Sequence, residues 1–457
     1  MKSFVRTLLL LLGSLLFVSA AYAEVKFDYG ASFRLRQEIW DNVVDLGTSQ
    51  KDRNFLRLRS QVWGKADFTE NLGAYLRITN EAKWYGLGPY EQWKTNPNLD
   101  EVDPDELIID NFYADAKNIG GLPIDIKIGR QDLLGSYGEG FLLLDGTPGD
   151  GSRTFYFNAA KVNVRLSPNF NFDLTYIDDP RTDTFMPSWH PAITGSNYSD
   201  NKRVLTGSHE QAFVLYGRGK VADGLTIEPY YIYKTEDPVG SFQRLKLNTA
   251  GGHIVYTMAP WKFGGEFAHQ FGKYSANAQG VEIDRQANGG YAFGSYTADS
   301  LTWKPEFELR YVYLSGDDPG TSGKNETWDP LFSRAPYWNE LLIYTLTGET
   351  AKFGGPIPGY WTNMQILKAT AKLNFTPATS LALAYQYLWA VEQSGTKSAL
   401  LSNNGLSRGS LPTAILNHKF TKNLDGMLQF EYFVPGSYYA SDTRNAIFFR
   451  WQMQVKL

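Results

Sequence analysis

Arginines two residues apart occur twice near the N-terminus, as Arg34/Arg36 and Arg57/Arg59, and Arg77 follows in the next segment of the same character. A guanidinium is planar, permanently charged, and presents a fork of N–H donors that matches a carboxylate. A spacing of two puts both members of each pair on one face of a β-strand. Two such pairs on neighbouring strands make a patch suited to a polyanion with one carboxylate per repeating unit. Arg310 and Arg450 sit on the polar face of similar segments further along the chain. Any water-filled interior must be lined by polar groups, so a single arginine says little. The paired pattern points to selection of anions.

The remaining chemistry is sparse. The five histidines, His190, His209, His253, His269 and His418, are scattered, with no pair at metal-ligand spacing and none in a recognisable catalytic motif. An enzyme embedded in the fold, such as a lipase or protease, is therefore a remote alternative. With no cysteine, disulfides and thiolate chemistry are excluded. Gly146 to Ser152 is glycine-rich but lacks the Gly-Lys-Ser/Thr ending of a phosphate-cradling loop. It reads as a constriction folded into an interior or as a plain surface loop. Asp317, Asp318 and Asp329 offer hard oxygens to calcium, although aspartates beside Gly and Pro are also ordinary turn residues. No other cofactor is expected. An acidic chain with no basic stripe excludes nucleic acid as a partner.

The elements that must position these arginines alternate with period two. Phe27, Tyr29, Ala31, Phe33 and Leu35 oppose Asp28, Ser32, Arg34, Arg36 and Glu38. Near the C-terminus, Ile447, Phe449, Trp451, Met453, Val455 and Leu457 oppose Arg450, Gln452, Gln454 and Lys456. Segments of this kind predict about eighteen strands, with sixteen as the competing even count. Trp303 opens one of them, predicted over 301–315. Connections alternate between short ones, such as Ser167-Pro168-Asn169, and long ones over 85–106, 132–153, 178–208, 316–359 and 392–409. A soluble sandwich has no reason to shorten every second connection. The pattern predicts an all-β, antiparallel transmembrane barrel with short periplasmic turns, long extracellular loops and an aqueous lumen. An aromatic content of 15% with negative mean hydropathy fits interfacial girdles on such a barrel.

Lys2 and Arg6, the apolar run Leu8–Val18 and Ala21-Tyr22-Ala23 read as a signal peptide over 1–23, cleaved near Ala23, with the barrel over 24–457. Lys2 and Arg6 leave with it, so 48 acidic residues face 42 of the 44 basic ones, a net charge of −6. The inward faces are nonetheless richer in bases than in acids.

The strings Ile128-Gly129-Arg130-Gln131-Asp132, Phe141 to Arg153, Leu314 to Pro319 and Trp328 to Arg334 resemble the alginate-export family of outer-membrane porins. The resemblance runs from about Phe27 to the C-terminus, and its loose match in the loops makes this a distant member. It implies an eighteen-stranded monomeric barrel in the outer membrane, passing an anionic uronate polysaccharide through an arginine constriction. By position it adds Arg130 and Arg153 to Arg34, Arg57, Arg77, Arg310 and Arg450 as constriction candidates. Expected partners are outer-membrane lipid, the polysaccharide, and a periplasmic export protein that helps to open a loop-occluded pore. The alternative is a general diffusion porin or an uptake channel for small acids, since both also favour a basic constriction.

Overall fold

The computed structural model describes residues 25–48, 52–85, 87, 102–103, 107–133, 135–143, 156–189, 206–333, 338–350, 361–395 and 397–457. The leader expected over 1–23 and Arg153 lie outside these residues, as does the glycine-rich stretch 146–152.

Among the described residues, alternation is realised as eighteen long strands. The first nine are β1 (Lys26–Asp41), β2 (Arg53–Thr69), β3 (Leu72–Trp84), β4 (Leu107–Ala116), β5 (Ile124–Gln131), β6 (Phe157–Ser167), β7 (Phe170–Asp179), β8 (Glu210–Ala222) and β9 (Leu225–Glu236). The rest are β10 (Leu245–Met258), β11 (Trp261–Tyr274), β12 (Ile283–Thr297), β13 (Glu306–Leu314), β14 (Met364–Thr376), β15 (Thr379–Trp389), β16 (Ser407–Lys419), β17 (Leu424–Pro435) and β18 (Ala446–Lys456). Each pairs antiparallel with the next, and β18 returns to β1 from Ser32↔Lys456 to Asp41↔Ile447. The sheet is closed, so no long strand is left with an unpaired edge.

Apolar side chains of the outward face, among them Phe27, Val62, Phe213, Phe267 and Leu309, are exposed on a continuous band around the barrel. A membrane-facing surface needs such a band. Strands 210–222 and 245–258 alternate poorly in sequence because glycines stand where a neighbouring strand's ring needs room. A Cβ on Gly251 would come within 2.7 Å of the Tyr230 hydroxyl and 2.4 Å of the Phe267 carbonyl.

One boundary moves. The strand expected from residue 301 begins at Glu306, because Trp303 and Lys304 adopt left-handed backbone (φ 67° and 39°) in consecutive turns that Ala298 closes by donating to Pro305 O at 2.9 Å. Trp303 packs edge-on to Phe375 at 5.0 Å rather than joining the strand face.

The interior differs more. Part of the lumen, expected to be aqueous with a loop-formed constriction, holds a packed apolar core. Leu133, Tyr137, Phe141, Leu142 and Leu143 are buried with Trp328, Leu331 and Phe332. So are Leu341, Leu342 and Leu346 of a helix, α1 (Leu341–Thr350), inside the connection 316–359. These runs do not alternate, so no strand pairing hides them, and the barrel wall is the surface on which they leave water.

Candidate functional site

Alternation and register together gather four of the predicted arginines. Arg36 lies opposite Arg57 across β1–β2, and Glu38 opposite Arg450 across β1–β18. Glu38 is the hub: its Oε1 receives Arg36 at 3.3 Å, Arg57 at 3.2 Å and Arg450 at 2.7 Å. Glu81, on β3, binds Arg34 at 2.6 Å and Arg57 at 2.5 Å. Arg36 also donates to Gln452 at 2.7 Å and 3.1 Å. Arg59 faces Arg34 in the β1–β2 register and Glu81 in the β2–β3 register.

Arg34, Arg36, Arg57 and Arg450 expose 6%, 5%, 3% and 2% of their surface. Four guanidiniums of the wall therefore converge on two fully buried carboxylates of the wall, and the loop acid Glu340, 3.0 Å from Arg450, offsets part of that excess. Paired side chains in a rigid sheet project that potential without moving.

Arg77 is more open. It binds Asp110 at 2.9 Å and Asp132 at 3.2 Å, at the entry to the in-folded stretch. Arg310 stands apart on β13, between Glu308 at 2.9 Å and Glu139 at 2.5 Å, over the ring of Phe293 at 4.5 Å. Arg130 does not join the set. In the β4–β5 register it lies opposite Phe112, whose side chain is exposed on the outer face. Its guanidinium is enclosed by Asp183 at 2.7 Å and 2.8 Å and stacks on Tyr156 at 4.2 Å.

Two in-folded stretches cross the lumen and meet. Tyr137 exchanges a hydroxyl contact with Thr175 of β7 at 3.0 Å, and Arg218 of β8 donates to Ser136 O. Phe141 stacks on Trp328 at 5.3 Å and contacts Trp338 at 6.4 Å. Trp338 O accepts from Lys368 of β14 at 2.9 Å. The start of α1 is set on β17, where the Glu431 carboxylate accepts from Glu340 N at 3.0 Å and Leu341 N at 2.8 Å. A carboxylate suits the free N–H groups and positive end of a helix. Tyr344 packs on Trp40 at 4.0 Å, and Arg408 of β16 holds Glu349 at 2.6 Å. The septum thus runs from β7 and β8 to β16, β17 and β1.

Asp317 and Asp318 cap turns by accepting from Glu326 N and Gly320 N, each at 2.8 Å. Asp329 accepts from Leu331 N at 2.8 Å, and its backbone is docked on Gln270. Among the described residues, no three acidic or histidine side chains gather as a metal cluster.

The sequence matches the alginate export family over residues 25–408. The chain belongs to the alginate export family. No curated protein sequence matches it. Among solved structures it is similar to OccAB1 of Acinetobacter baumannii, with a TM-score of 0.58, 12% identity, and 94% of this chain and 96% of that one covered. OccAB3 of the same organism gives 0.54 at 12% identity over 94% and 100%, and a BenF-like porin from Pseudomonas fluorescens Pf-5 gives 0.54 at 11% over 94% and 98%. At these identities the likeness establishes the barrel alone.

As a member of the alginate export family with a porin-type barrel, the protein is an outer-membrane channel and not an enzyme. Sequence reasoning missed several members of the site. Glu81, Glu139, Glu340, Arg218 and Arg408 were not singled out. Glu81 shares its strand face with Arg77, so period two alone would have found it. Glu139 and Glu340 lie in connections, where period two carries no information.

Proposed function

We propose that this channel passes a carboxylate-bearing polysaccharide of the alginate kind outward by passive diffusion, with a preference for anions over cations. The observation that carries this reading is the surplus of guanidinium over carboxylate in the wall formed by β18, β1, β2 and β3. A fixed positive surplus beside a narrow path favours anions and offers weak successive sites, strong enough to admit a polyanion and weak enough to release it. Arg77 and Arg310, both partly exposed, each stand between two carboxylates and add partly exposed guanidiniums along the wall without adding to the surplus.

The test is single-channel current in a planar bilayer with added polyuronate, against a neutral polysaccharide of equal length. The proposal expects interruptions with the polyuronate only. Equal effects from both polymers would favour a general diffusion porin.

A further inference from the structure

Each in-folded stretch carries carboxylates to arginines of the wall, among them Glu139 and Glu340. Arg310 reaches Glu139 through Nη1 at 2.5 Å and Nη2 at 3.3 Å. Arg450 reaches Glu340 through Nη1 at 3.0 Å. In both pairs the base belongs to the barrel and the acid to a loop.

Accessibility separates these acids from the structural ones. The side chains of Glu139 and Glu340 are 36% and 30% exposed, whereas those of Glu38 and Glu81 are 0% exposed. Glu139 also lies between Gly138 and Gly140, both in left-handed backbone (φ 48° and 77°), so it sits on a segment with glycine pivots on either side.

Beside Arg310 lies a cavity of about 670 Å³, bounded by Phe141, Trp338, Lys368 and Lys372 and by the carboxylates of Glu139, Glu306 and Glu308, so its bases already carry acids that a ligand carboxylate would have to replace. That volume is in the range of small-ligand sites, which run on the order of 300–1,000 Å³. Aromatic faces next to a guanidinium and two ammonium groups suit a sugar acid: the ring's C–H face lies on an aromatic side chain while its carboxylate takes the fork.

We propose that Glu139 and Glu340 are internal stand-ins for the carboxylates of the transported polyanion. They occupy Arg310 and Arg450 in the empty channel and exchange with successive uronate groups, and the cavity at Arg310 is the sugar-acid subsite. The inference rests on the anion-channel reading above. Exchange replaces one guanidinium–carboxylate pair by another, so no arginine is left bare, and the displaced glutamate is already about a third exposed. Glu38 and Glu81 have no such exit and stay in place.

The experiment is the half-blocking concentration of a purified oligogalacturonate in single-channel recordings of the full barrel. It compares wild type with Glu139→Asp, Glu139→Gln and Glu306→Gln. Glu306 lines the same cavity but faces Lys372 in the β13–β14 register, so it controls for simple loss of charge. Glu139→Asp keeps the charge and shortens its reach toward Arg310.

The expected result is a several-fold lower half-blocking concentration for both Glu139 variants and none for Glu306→Gln. An unchanged value for Glu139→Asp, or an equal drop for Glu306→Gln, would overturn the stand-in role while leaving anion preference intact. Loss of anion preference in wild type would instead overturn the channel reading beneath it.

Discussion

Arg57 and Glu81 are joined through one oxygen: Nε at 2.8 Å and Nη2 at 2.5 Å both reach Oε1, while Oε2 of the same carboxylate receives Arg34 at 2.6 Å. One buried acid therefore serves two arginines, and Glu38 serves three. In such a cluster acids are scarcer than bases, and that decides which substitutions hurt.

Removing Arg57 leaves Glu81 with Arg34, and Glu38 with Arg36 and Arg450. Removing the Glu81 charge takes away the acceptor that Arg34 and Arg57 share. Glu81→Gln is expected to cost on the order of 3–5 kcal/mol, the range for breaking a buried pair, and Arg57→Gln clearly less. Urea unfolding midpoints in detergent or lipid check the order. The reverse order would contradict the charge count.

The plug of α1 is held by two kinds of contact of unequal size. Burying Leu341, Leu342 and Leu346 contributes about 1.5–3 kcal/mol each, whereas a helix N-terminal cap such as Glu431 contributes roughly 0.5–2 kcal/mol. Apolar packing wins. Glu431→Ala should therefore add flicker to single-channel records with mean conductance little changed, while the double change Leu342→Asp and Leu346→Asp should raise mean conductance. A large rise from Glu431→Ala alone would reverse the assignment.

His209, just before β8, places one ring nitrogen 2.5 Å from Asp178 and the other 3.5 Å from Asp237. The hydrogen bond to Asp178 holds its pKa above the ordinary value, with burial opposing and both acids reinforcing the rise. A raised histidine pKa contributes stability that is complete below the unfolded value, about 6.5, and fades as pH rises through the folded value. The group is partly exposed, so solvent screens the pair and its share of stability is small. Titration of the His209 ring signals by NMR should give a pKa above that of Asp178→Asn; equal values would contradict the pairing.

The strands were legible because inward and outward residues must alternate when one face meets an apolar phase and the other water. Arg34, Arg36, Arg57 and Arg450 could thus be placed on one surface from sequence. Their pairing could not: that Arg57 lies opposite Arg36, and Arg450 opposite Glu38, depends on register between strands, which local period does not fix. Trp303 shows the limit within a strand, since an apolar residue in the correct phase sits in a left-handed turn. The septum was the least legible part. Runs such as Phe141-Leu142-Leu143 and Leu341-Leu342-Ile343 signal burial, but nothing in their spacing says that the barrel's own lumen receives them.

The central claim is that the wall's surplus of guanidinium sets the channel's preference. Its most direct test is the reversal potential across a planar bilayer under a salt gradient, for wild type and for the quadruple change Arg34→Ala, Arg36→Ala, Arg57→Ala and Arg59→Ala. Glu38→Gln and Glu81→Gln are added to that variant so that no buried acid is stranded. Wild type should reverse toward the chloride equilibrium potential, and the variant should lose that shift. A variant that reverses where wild type does would contradict the account.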